Sequence, residues 1–159
     1  MPGSGKTTLG QPLASNLGLE FVDTDQLLEV EQQAPLQTIL EREGAMGLRA
    51  LEGALGLRAA LANRVIATGG SMVYSAAAMS RLHAQSLCIY LQAGLATLRS
   101  RLTNLKQRGF ASPGKDLADV LAEREPLYVA YAHVVLPVDG LTQAEILCQL
   151  TYISTQALR

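Results

Sequence analysis

The chain has 159 residues, 48% of them hydrophobic and 17% charged, enough for one compact domain with a real core and too apolar for a disordered or fibrous chain. Thirteen basic against fourteen acidic side chains give a net charge of -1, which leaves no excess to hold a nucleic-acid backbone or an anionic membrane nonspecifically. Cys88 and Cys148 lie far apart, with no CxxC or Cys/His cluster, so a disulfide framework and a zinc site are not indicated.

The chain opens on MPGSGKTT, which carries the end of the G-x-x-x-x-G-K-[ST] pattern at Gly5, Lys6 and Thr7. Gly3, Ser4 and Gly5 can wrap backbone N–H groups around phosphates, and the start of a helix favours negative charge. Lys6 can reach the outer phosphates, and the Thr7 hydroxyl can ligate magnesium, with Thr8 beside it. A helix is expected over Thr7 to Leu17. A strand over Leu19 to Val22 then runs into Asp23-Thr24-Asp25. Two carboxylates two residues apart at the end of a strand can serve magnesium (Asp23) and a hydroxyl proton (Asp25). An Asx turn with a helix cap explains the same residues equally well.

Ala/Leu-rich helical patterning is expected from Leu36 to Asn63, with Arg49 and Glu52 three apart on one face, either a positioned pair or a solvated bridge. A strand over Val65 to Ala67 leads into Thr68-Gly69-Gly70-Ser71, either a site of close ligand approach or a plain tight turn. Helices at Ser75 to His83, Gly94 to Leu105, Asp116 to Tyr131 and Thr142 to Ala157 alternate with strands at Leu87 to Leu91 and Val134 to Val138. This alternation implies a parallel sheet covered by helices on both faces. The stretch 108–115, RGFASPGK, has the composition of a mobile loop, and His83 and His133 belong to no ligand cluster and read as structural. No apolar run reaches the length of a membrane span and no signal peptide is apparent, so a cytoplasmic protein is expected.

In order, GSGKTT, FVDTD, the Arg49/Glu52 pair, ATGGS, an arginine-bearing loop and Arg124-Glu125-Pro126-Leu127-Tyr128 resemble the shikimate kinase family, from residue 1 to about 138. The resemblance implies a three-layer P-loop NTPase fold in a single domain, residues 1–159, with substrate-binding helices at about 24–60 and a lid at about 104–116. It implies ATP and Mg2+, with Gly3 to Thr8, Arg101 and Arg108 at the nucleotide and Thr7 and Asp23 at the metal. Lys6, Asp25 and Arg108 would be catalytic. Asp25, Arg49, Gly69, Gly70 and Arg124 would hold shikimate, the two arginines gripping its carboxylate.

The implied reaction is phosphorylation of the shikimate 3-hydroxyl, on the way to chorismate and the aromatic amino acids, by a protein acting as a monomer. The chain departs from the pattern at Ala45, Leu48, Ser71, the RGF lid start and His133. A related kinase acting on gluconate or a hydroxy amino acid is the alternative that these departures suggest. In such a fold a central strand precedes the phosphate loop, and here the chain begins inside the loop. Either the sequence starts at an internal methionine or the first strand and first loop glycine have been lost; for the chain as it stands poor stability is expected, and the second case would make it an inactive remnant.

Overall fold

The computed structural model describes residues 1–102 and 114–158. Helix α1 (Lys6–Leu17) starts directly from Gly5, whose φ of 96° demands a residue without Cβ, and stops at Gly18, also left-handed at φ 67°. The chain returns through β1 (Glu20–Asp23) into α2 (Thr24–Gln32) and then α3 (Leu36–Arg58). Strand β2 (Arg64–Ala67) and a single 3-10 turn (Met72–Tyr74) precede α4 (Ala76–Gln85). The remainder is β3 (Ile89–Gln92), α5 (Leu95–Arg101), α6 (Leu117–Tyr131), β4 (Val134–Pro137) and α7 (Gln143–Ala157). Capping boxes start the last two helices, Asp116 with Asp119 and Thr142 with Glu145, each satisfying two end amides reciprocally.

The α/β alternation and the parallel sense are as expected, but the pairing is not one continuous ladder. Strands β1 and β2 pair in parallel, Phe21 opposite Val65 and Asp23 opposite Ala67, and β3 and β4 pair separately, Leu91 opposite Leu136. Strands β2 and β3 both line a cavity of about 730 Å³, together with Leu9 and Leu13 of α1 and Leu82 of α4.

The largest apolar cluster joins Leu9 and Leu13 of α1 to Leu91, Leu98, Val120, Leu136, Ile146 and Leu150, so that α1 and α7 close over the β3–β4 pair. A second cluster, Leu28, Ile39, Leu48 and Leu55, clamps α2 on α3. Truncating any of these leucines to Ala costs about 2–5 kcal/mol through lost burial and the cavity left behind.

Most strand and helix ends fall within one or two residues of the expected ones, and the larger differences lie in α3 and α2. The helix expected from Leu36 to Asn63 breaks at Gly44, whose φ of 69° and ψ of 176° are not helical, and it ends at Arg58. Surrounding Ala and Leu periodicity hides a single left-handed residue. Thr24 to Gln32, expected only as part of the substrate-binding helices at about 24–60, forms a helix of its own. The fifth helix is described as far as Arg101. Its expected extension to Leu105, most of the expected lid and Arg108 lie outside the described residues.

Candidate active site

The site is built where the parallel pair β1–β2 ends. Because Asp23 is opposite Ala67, the segments Asp23-Thr24-Asp25 and Thr68-Gly69-Gly70 leave the sheet side by side, and Gly69 N–H donates to Thr24 Oγ1 at 2.7 Å. The N-terminus of α1 faces the same edge. Gly3 (φ 77°) and Gly5 (φ 96°) turn the loop so that α1 begins with no side chain capping its first amides, leaving positive dipole ends available to an anion.

The Met1 carbonyl accepts hydrogen bonds from Ser4 Oγ at 2.9 Å and Lys6 Nζ at 2.8 Å, which ties the loop closed. Desolvation lowers the Lys6 ammonium pKa, while the nearby Asp25, Asp23 and Glu52 carboxylates oppose that fall.

The cap reading of Asp23-Thr24-Asp25 is realised on one oxygen of Asp23, and the other oxygen meets the phosphate loop. Asp23 is the cap of α2, its Oδ1 accepting from Asp25 N–H at 2.9 Å, and its Oδ2 accepts from Thr7 Oγ1 at 2.7 Å. Asp25 turns the other way. A Cβ built on Gly69 would stand 2.5 Å from Asp25 Oδ1 and 2.7 Å from Glu52 Oε2, so the glycine is required for both carboxyls to approach.

Burial pushes Asp25 up to about 6, with Lys6 pulling it down and Asp23 pushing it up. Burial and the neighbouring Asp25 push Glu52 up to about 7. Asp25 Oδ1, Glu52 Oε2 and Ser71 Oγ are buried without a hydrogen-bond partner among the described residues. Three polar atoms held in this state around one point are what an acceptor rich in hydroxyls can satisfy.

Arg124 is 2% exposed and its Nη1 lies 3.1 Å from where a Gly70 Cβ would be, so Gly70 also makes room for a site group. Arg49 comes from α3 after the Gly44 break, its guanidinium carbon 3.9 Å above the Tyr74 ring. A cleft of about 740 Å³ joins the phosphate loop to this acceptor region; Gly3, Gly5, Lys6, Thr7, Thr8, Asp23, Asp25, Gly70, Arg101 and Arg124 all line it. Ser4, Gly69 and Arg49 are not on its wall. Ser4 braces the loop, Gly69 lies against the Asp25 and Glu52 carboxyls, and Arg49 lies against the Tyr74 ring.

Sequence reasoning did not single out Tyr74 or Tyr128, whose hydroxyl donates to the Gly70 carbonyl at 2.6 Å. The RxPLY motif contained Tyr128, yet nothing local says what its hydroxyl meets. The two histidines stand apart from the cleft and stack on each other, ring centroids 3.9 Å apart, His83 Nδ1 against the Tyr131 carbonyl and His133 Nδ1 accepting from Cys88 N–H. Their structural reading matches this packing.

A glycine-turned phosphate loop at the head of a helix, a hydroxyl–carboxylate pair beside it and a carboxyl-rich pocket across the same cleft define a phosphate-loop protein built for phosphoryl transfer to a small acceptor. The shikimate kinase family model matches residues 2–153. Two curated relatives named shikimate kinase 2 cover 84% of this chain. The one from Pectobacterium atrosepticum is 36% identical over 81% of its own length, and that from Yersinia pseudotuberculosis is 38% identical over 80%. A shikimate kinase from Acinetobacter baumannii, solved in complex with shikimate, superposes with a TM-score of 0.81 at 29% identity, covering 99% of this chain and 90% of the other. The chain belongs to the shikimate kinase family, whose members use ATP as phosphate donor.

Proposed function

We propose that this protein catalyses ATP-dependent phosphorylation of the shikimate 3-hydroxyl. The observation that carries this reading is the joining of two chemically different regions in one cleft: phosphate-loop amides and Lys6 on one side, Asp25 with Arg124 on the other. Phosphoryl transfer asks chiefly for positioning and charge neutralisation, and both can be read from these residues.

Mg2+ suits Thr7 Oγ1 and Asp23 Oδ2, two hard oxygen donors already 2.7 Å apart at the cleft wall. When bound there it would neutralise charge on the phosphates. The α1 N-terminus and Lys6 supply the remaining positive field. Arg101, on the same wall, is available to the nucleotide.

On the acceptor side Asp25 is the base. A carboxyl raised to about 6 is ionised at neutral pH yet basic enough to take a hydroxyl proton as the new bond forms. Glu52, raised to about 7, shares the pocket as a partner for acceptor hydroxyls. Arg124 and Arg49 answer the acceptor carboxylate, and guanidinium forks suit that shape. Gly69 and Gly70 keep the floor free of side-chain bulk.

The protein is further proposed to act as a monomeric, single-domain enzyme in the cytoplasm, without nucleic acid or membrane. Near-neutral charge and two free thiols suit that setting, and no helix among the described residues is long and apolar enough to cross a membrane.

The test is ADP release from magnesium–ATP with and without shikimate, on protein shown to be folded by circular dichroism. Release that depends on shikimate is expected. A folded protein releasing ADP no faster with shikimate than without it would overturn the reading.

A further inference from the structure

Two cationic side chains set against one ring repel each other, and something must hold them side by side before an anion arrives. The structure shows one aromatic ring in contact with both. Tyr74 has the Arg49 guanidinium carbon 3.9 Å from its ring centroid and the Arg124 guanidinium carbon 5.2 Å away, and Arg124 Nε donates to the Tyr74 hydroxyl at 3.3 Å. The same hydroxyl reaches Glu123, whose carboxyl is held below its usual range first by Lys115 and then by Tyr74.

The ring is itself fixed. It ends the 3-10 turn after Gly69-Gly70-Ser71, its N–H donates to the Ser71 carbonyl at 3.1 Å, and the preceding Met72 and Val73 are 1% and 3% exposed. An aromatic face attracts a cation through its quadrupole, and a single ring meeting two guanidiniums offsets part of their mutual repulsion.

We propose that Tyr74 is a positioning residue that holds Arg49 and Arg124 as one two-pronged receptor for the acceptor carboxylate, and so sets acceptor affinity without touching the reacting atoms. The inference rests on the arginine clamp described above and deepens it. It assigns the chain a residue for recognition of anionic acceptors that neither arginine supplies alone. Since Tyr74 acts through the arginines, its removal weakens acceptor binding and leaves nucleotide binding and the chemical step largely as they were.

The experiment measures steady-state kinetics of Tyr74→Phe, Tyr74→Leu and Arg124→Ala beside the parent enzyme, with shikimate and with its methyl ester. For Tyr74→Leu the shikimate KM is expected to rise about tenfold, with kcat within about twofold and the ATP KM unchanged. The methyl ester, which lacks the negative charge, should be used equally by the parent and Leu variants. Tyr74→Phe keeps the ring face and should stay within about threefold of the parent in shikimate KM.

A Leu variant with the parental shikimate KM, or with shikimate and ATP KM raised alike, overturns the proposal. If circular dichroism shows the Leu variant unfolded, Tyr74→Met, unbranched and flexible in packing, is judged by the same criteria. The Arg124→Ala control separates the two layers. A parental shikimate KM there rejects the clamp itself, whereas a raised KM there beside a parental one in the Tyr74 variants rejects Tyr74 alone.

Discussion

The carboxyl groups of Asp25 and Glu52 reach the Cα of Gly69 from two different helices, Asp25 from the first turn of α2 and Glu52 from the second half of α3. A single methyl group at Gly69 would lie 2.5 Å from the first and 2.7 Å from the second. Gly69→Ala should therefore displace both carboxyls, lowering kcat/KM for shikimate by at least about 100-fold because small misplacements at a reacting centre are costly. Calorimetric titration with ATP should be nearly unaffected. Equal losses on both substrates would show instead that the whole cleft had been distorted.

Asp25→Asn keeps shape and removes the base. Turnover should fall by about 10²–10⁴ while ATP affinity remains within error of the parent. Rapid-quench measurement of the first turnover checks that the loss lies in the chemical step. Near-parental turnover would remove Asp25 from the mechanism.

The raised carboxyls tie stability to pH. Asp25 rises from 3.8 to about 6 and Glu52 from 4.5 to about 7, so between those limits the folded protein binds more protons than the unfolded chain. Stability is then fully present below the unfolded values and falls as pH rises through the folded ones. Thermal unfolding should give a higher Tm at about pH 5 than at about pH 7.5 from these groups, and Glu52→Gln should flatten the slope. Activity runs oppositely, rising with pH through about 6 as Asp25 ionises. A Glu52→Gln variant with an unchanged Tm slope would contradict the assignment.

The Ser71 hydroxyl is buried, 3% of the residue exposed, beside the Glu52 carboxyl whose rise it opposes, and makes no well-formed hydrogen bond among the described residues. Such a group costs about 1–3 kcal/mol unless a ligand satisfies it. Ser71→Ala should raise the Tm of the unliganded protein by about 2–4 °C and raise the shikimate KM. A lower Tm in differential scanning calorimetry would mean that the hydroxyl supports the fold.

The parts of the site legible in sequence are those whose chemistry is local. The turn before α1 needs glycines at Gly3 and Gly5 whatever the rest of the chain does, and Asp23 caps α2 through a spacing of two residues fixed at one strand end. Asp25 and Gly70 are candidates from their local pattern and Arg124 from the resemblance, and the three line one cleft. What escaped depends on distant packing. Glu52 was read with Arg49 because they are three apart, yet Glu52 faces Asp25 and Gly69, and Arg49 meets Tyr74. Tyr74 and the Tyr128–Gly70 contact join segments far apart in sequence.

The most direct test of the central claim is a competition for one pool of magnesium–ATP among shikimate, gluconate and homoserine, with products identified by phosphorus and proton NMR. Shikimate 3-phosphate as the dominant product, lost in Asp25→Asn, is the predicted result. Phosphate on gluconate or homoserine in preference, or on another shikimate hydroxyl, would contradict it.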